Sequence, residues 1–133
     1  MHEVLFLVGK SNVILWSDAS NSPVSLPDSR ARWEAIWSRR DLIVEIAHSH
    51  PKGPLAFSHE DGTTMAALVT ALGRRLRFSV VAPAGMVRAD VKAVTAGRAP
   101  AVPVATLVRE EPWWAPLLRL ASGMNERTPL QEK

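Results

Sequence analysis

Asp41-Leu-Ile-Val-Glu-Ile-Ala-His48-Ser49-His50-Pro51, followed by Lys52-Gly53-Pro54 and then by Ser58-His59-Glu60-Asp61, is the stretch from which the fold is read. The first part is a short apolar run with β-branched residues, the pattern of a buried strand, here placed over 42–48. Pro51 cannot donate to a ladder and closes it, and Lys52-Gly53-Pro54 is loop chemistry. Ser58 suits the N-cap of the helix that follows, read over 59–72, with Gly73 as the residue after its C-cap. A strand, a tight loop and a helix in this order are one half of an α/β unit.

The same stretch carries the chemistry. Side chains alternate along a strand, so His48 and His50 leave from one face. With Ser58 as N-cap, Asp61 falls on the first turn of the helix, which brings a carboxylate to the two imidazoles. Two histidines and one aspartate are three ligands a zinc ion accepts, with a fourth position open, the composition of a catalytic rather than a structural site. The chain has no cysteine, which excludes thiolate zinc sites, disulfides and thiol catalysis.

His48-x-His50-Pro51, with Ser58 and Asp61 behind it, resembles the JAMM (MPN-plus, JAB-domain) metalloprotease family, in its bacterial JAB and RadC-like branch. The resemblance spans roughly residues 3–89. It implies an α/β fold: a single JAB/MPN-like (cytidine-deaminase-like) domain with a mixed sheet flanked by helices. It implies zinc held by His48, His50 and Asp61, a glutamate as general acid/base, and Ser58 as the donor to a tetrahedral oxyanion, beside its plain role as N-cap. Four glutamates stand upstream of Asp61. Glu45 lies three residues before His48, on the opposite strand face. Glu34 sits between Trp33 and Trp37, whose spacing of four is read as the buried face of a helix over 29–39, so Glu34 faces water. Glu60 is read as a helix-dipole charge. Glu3 opens the first strand, where the family places its catalytic glutamate, although only two residues precede it.

The implied activity is that of a zinc-dependent peptidase or isopeptidase. The family's active members cut the C-terminal tail or conjugates of ubiquitin or ubiquitin-like proteins, with the tail extended beside a strand. The implied partners are therefore a ubiquitin-like protein and its activating and conjugating enzymes. The short loop from Pro51 to Phe57 leaves little room for the insertions of chain-specific relatives, so a processor of small tails is expected. Leu55 and Phe57 either line a groove or join the core. The alternatives are a RadC-like DNA-associated or interaction module and an inactive metal-binding scaffold.

At 133 residues the chain suits one domain, and its 47% hydrophobic content is that of an ordinary globular protein. No apolar run reaches membrane-spanning length and no signal peptide is recognised, so a cytoplasmic protein is expected. The net charge of +3 is too small to imply nucleic-acid binding by itself. Arg74, Arg75 and Arg77 are read as favourable charge at the end of the motif helix, with a patch for an acidic partner or nucleic acid as the sharper alternative.

Further strands are expected over 3–8 and 13–17, joined by a turn at Gly9-Lys10-Ser11-Asn12, and over 77–82 and 86–95. Residues 1–97 form the expected catalytic domain. Residues 98–133 form an extension: a proline- and alanine-rich connector, an amphipathic helix from Glu111 capped by Gly123, and a frayed tail. Trp113 and Trp114 are read as packing that helix on the domain, or as a partner surface.

Overall fold

A computed structural model describes residues 1–19, 30–92 and 104–124. Its centre is a mixed sheet of six strands: β1 (Val4–Gly9), β2 (Ile14–Ala19), β3 (Ile43–Ser49), β4 (Leu76–Ala82), β5 (Gly85–Val91) and β6 (Thr106–Leu107), in the order β2-β1-β3-β4-β5-β6. Only β3 and β4 pair in parallel, as the crossover through a helix requires. The helices are α1 (Arg30–Ser38), α2 (His59–Leu72) and α3 (Trp114–Ala121). The expected α/β class with a mixed sheet and flanking helices is what the chain forms.

β1 reads Val-Leu-Phe-Leu-Val-Gly and is buried throughout, because both faces of the sheet are covered there. On one face Leu5, Leu7, Ile46, Phe78 and Val80 pack with Ala35 and Ile36 of α1 and Met65 and Val69 of α2. On the other, Val4, Phe6, Val8, Ala47 and Val81 pack with Trp114, Ala115 and Leu118 of α3. The β1–β2 turn is a 3-10 turn over Lys10–Asn12 in which Ser11 and Asn12 take positive φ. Asn12 also receives both tryptophans ahead of and in α3: Trp113 Nε1 donates to its carbonyl at 2.9 Å and Trp114 Nε1 to its Oδ1 at 3.0 Å.

α2 keeps the boundaries read from the sequence. A reciprocal capping box opens it, and Gly73 closes it at φ +68, a left-handed turn that glycine adopts without a Cβ clash. Among the described residues, no helix is long and apolar enough to cross a membrane.

Four expectations are corrected. Trp33 and Trp37 do not form the buried face of α1: each is 43% exposed, and they stack on one another with ring centroids 5.8 Å apart. A spacing of four places them on one side, but the sheet is approached by the small Ala35 and by Ile36, which allow the helix closer. Glu34 is exposed as expected and pairs with Arg30 at 3.3 Å. The arginines after α2 do not form one basic patch on a helix end. Arg74 donates to the Arg40 carbonyl at 2.8 Å, while Arg77 lies on β4 and faces buried Glu45 at 3.5 Å. The C-terminal helix begins at Trp114; Glu111 lies ahead of it and makes a paired contact with buried Arg119 at 2.7 and 2.8 Å. The expected strand over 86–95 ends at Val91; residues 93–103 and 125–133, with the connector and tail assigned there, lie outside the described residues.

Candidate metal centre

The site lies where three elements end together. His48 is in β3, level with Leu5 of β1 on one side and Val80 of β4 on the other. His50 follows the strand, and its N–H still bonds to the Val81 carbonyl at 2.9 Å. β1 runs antiparallel to β3, so the start of β1 reaches the His48 end of β3, and Glu3 arrives there. The loop after Pro51 turns back at Gly53, whose φ is +74, and delivers the Pro54 carbonyl to His50 Nδ1 at 3.0 Å. That bond fixes the ring so that Nε2 faces the site, the outer support metal-binding histidines commonly have.

His48 Nε2 and His50 Nε2 are 3.1 Å apart. Asp61 Oδ1 is 3.4 Å from His48 Nε2, and Asp61 Oδ2 is 3.6 Å from His50 Nε2. Ligands about 2.0–2.1 Å from a tetrahedral zinc stand about 3.3–3.4 Å from one another. The three donors thus lie at the spacing of a zinc coordination edge, and two imidazoles with one carboxylate suit that ion by chemistry as well.

The electrostatics of His50 and Asp61 agree. Burial, and then the charge of neighbouring His48, push His50 below the ordinary imidazole value against the pull of the Pro54 carbonyl and Asp61, which favours the neutral ring a metal needs. Burial works to raise the Asp61 carboxyl. The hydrogen bond and charge of His48, the Ser58 N–H and the charge of His50 outweigh it and hold the group at about 2.

Ser58 N–H donates to Asp61 Oδ2 at 2.7 Å, and Asp61 N–H donates to Ser58 Oγ at 3.0 Å. The capping box therefore holds the carboxylate itself in place. In that cap the Ser58 hydroxyl is an acceptor, which leaves its own proton for another partner. Ser58 is exposed and lines the same cleft as the three donors.

Glu3 is only 4% exposed and lines the cleft with them. Burial raises its carboxyl from 4.5 to about 7; His48 and Arg32 oppose the shift and Asp61 adds to it. Glu45 points away from the site, as strand alternation requires, and forms a bidentate pair with Arg88 at 2.9 and 3.1 Å. Glu34 and Glu60 are exposed. Glu60 and His59 line the cleft from its rim on α2.

The cleft measures about 870 Å³ and runs between α1 and α2, with Leu5, Ile46 and Phe78 on its floor and Trp33, Ile36, Met65 and Leu68 on its walls. Phe57 belongs to the core and Leu55 packs against it, which settles their two readings. Arg32 was not singled out from the sequence. It bonds Asp18 of β2 through Nε at 3.2 Å and Nη2 at 3.1 Å and lines the cleft near Glu3. Nothing in its local spacing marks it, because its partner is on another element.

Residues 4–107 match the family model for prokaryotic homologs of the JAB domain. A comparison with curated proteins gives no match.

Proposed function

The chain belongs to the family of prokaryotic homologs of the JAB domain, and from that premise we propose that it is a zinc-dependent peptidase or isopeptidase acting on the C-terminal tail or conjugates of a ubiquitin-like protein. The observation that carries this reading is the convergence of His48, His50 and Asp61 at 3.1 to 3.6 Å in a cleft that also holds buried Glu3.

His48, His50 and Asp61 would hold the ion. When bound, zinc supplies Lewis acidity to the substrate carbonyl and makes water acidic enough to react near neutral pH. Glu3 takes the proton of the attacking water and passes it to the leaving amine. A carboxyl raised to about 7 is suited to both directions of that transfer. Ser58 turns its unused hydroxyl proton toward the oxyanion. The Pro54 carbonyl, bonded to His50 Nδ1, would keep His50 Nε2 turned toward the ion.

An extended substrate tail is supported by the sheet. Among the described residues β2 is an edge strand bonded only to β1, and its Ala19 end is level with Val4, next to Glu3 in sequence.

The test is a panel of ubiquitin-like proteins carrying C-terminal extensions or lysine conjugates, with products weighed by mass spectrometry. Cleavage that a zinc chelator stops and thiol alkylation leaves untouched supports the reading; the second half follows from a chain without cysteine. No metal-dependent cleavage of any member, with tight salt-sensitive binding to DNA instead, replaces it with the DNA-associated reading.

A further inference from the structure

α3 lies beyond the matched residues 4–107, yet its C-terminal end meets the site from behind. Ser122, fully buried at the end of α3, and Ser49, fully buried between the two histidines, have hydroxyls 2.6 Å apart. Ser49 Oγ accepts the N–H of Val4 at 2.9 Å, and the Ser122 carbonyl accepts the N–H of His2 at 3.0 Å. The Glu3–Val4 peptide is therefore held by the Ser49 hydroxyl, and the Met1–His2 peptide, one further back, by the Ser122 carbonyl. The Ser122 hydroxyl also reaches the Leu118 carbonyl at 2.7 Å, which ties the pair into the helix.

α3 is itself fixed at several points. Trp114 Nε1 bonds to Asn12, and Trp114 and Leu118 are fully buried against β1 and its neighbours. Arg119 donates to the Ala82 carbonyl at 3.0 Å and the Gly85 carbonyl at 3.1 Å, which fastens the helix to the β4–β5 turn. A short segment ahead of a strand is ordinarily a frayed one. Here it is held by a rigid helix, and the same hydroxyl pair sits on the backbone that carries His48 and His50.

We infer that Ser122 and Ser49 are positioning residues for Glu3, so that the C-terminal helix sets the distance between the general base and the metal ligands. The inference rests on the reading of Glu3 as that base. A displacement of a catalytic group by about 1 Å costs on the order of a hundredfold in rate, and loss of the Ser122 hydroxyl unties from α3 the Ser49 Oγ that holds the Val4 N–H beside Glu3.

The experiment uses the full chain loaded with zinc and the substrate identified by the panel above. Ser122→Ala lowers kcat by about ten- to a hundredfold with KM within twofold and zinc still bound one per chain. In a Glu3→Asp background, where the carboxylate is already displaced, the same change costs less than half as much on a logarithmic scale, since the two act through one group. Full additivity in that cycle, or wild-type kcat in folded Ser122→Ala, overturns the inference. Ser122→Thr, which restores the hydroxyl, recovers most of the rate if it folds. If it does not fold, Ser49→Ala serves as the second variant, with the same kcat loss and retained zinc expected.

If the wild type cleaves nothing, the reading of Glu3 as a base fails, and the link itself is still tested by amide exchange. Val4 N–H exchanges at least tenfold faster in Ser122→Ala than in the wild type if the pair holds the segment. Equal protection of Val4 in both contradicts it.

Discussion

Replacing Ser58 by alanine separates two roles that one hydroxyl can fill together. The cap role has a defined size. Ser58 Oγ accepts one bond, from Asp61 N–H at 3.0 Å, while the Ser58 N–H to Asp61 Oδ2 bond at 2.7 Å survives the substitution. Loss of an N-cap side chain costs about 1 kcal/mol, or about 3–5 °C in melting temperature for a domain of this length. Because the backbone bond remains, Asp61 keeps its orientation and zinc stays bound. The oxyanion role is larger: removing one such donor costs about 3–4 kcal/mol of barrier, a factor on the order of 10² to 10³ in kcat. Steady-state kinetics on the cleaved substrate, thermal unfolding and zinc content, measured on one preparation, distinguish them. The expected outcome is a melting temperature lowered by a few degrees, stoichiometric zinc and kcat reduced by at least a hundredfold. A kcat within fivefold of wild type, with the same loss of stability, would show that Ser58 is only the cap.

If Glu3 is the base proposed above and not a ligand, Glu3→Gln is expected to abolish turnover while leaving one zinc per chain by metal analysis; turnover at the wild-type rate would move that role to another group. The metal-free protein has a pH dependence of definite sign. Burial raises the folded-state value of Glu3 from 4.5 to about 7, so the folded chain holds this proton longer than the unfolded one, and stability falls as pH rises through that interval. Urea titrations of metal-free wild type and Glu3→Gln should agree near pH 4 and diverge by pH 8, with the variant more stable. Asp61 acts oppositely: held at about 2, it adds stability above pH 4 that is lost as pH falls toward 2, and Asp61→Asn should flatten that acid limb. Parallel curves would contradict the burial assigned to Glu3 in the first case, and the hold of His48 and the Ser58 N–H on Asp61 in the second.

The parts of the fold that were legible in the sequence are those with local causes. Ser58, Asp61 and Gly73 bound α2 through caps built from residues a few positions apart, and the observed helix runs from His59 to Leu72. The β-branched run before His48 and the closing Pro51 located β3 to within a residue. Alternation alone placed Glu45 opposite the histidines. What was not legible depends on distant partners. The Trp33–Trp37 spacing names a helix side but not which side meets the sheet; that is decided by how closely Ala35 and Ile36 allow α1 to approach. Arg77 reads as part of a basic run until β4 carries it to Glu45, 32 positions away in sequence. Ser49 and Ser122 are 73 residues apart, and no pattern near either one announces the other. Arg32 enters the cleft through Asp18, a residue of another element.

The account rests on one metal centre formed by His48, His50 and Asp61, and native mass spectrometry of the purified chain, stripped and then reloaded with zinc, tests it most directly. One zinc per chain in the wild type, and none retained by His48→Ala, His50→Ala or Asp61→Ala variants that remain folded, is the result the account predicts. Stoichiometric zinc in all three variants, or a folded wild type that takes up no zinc, would contradict it.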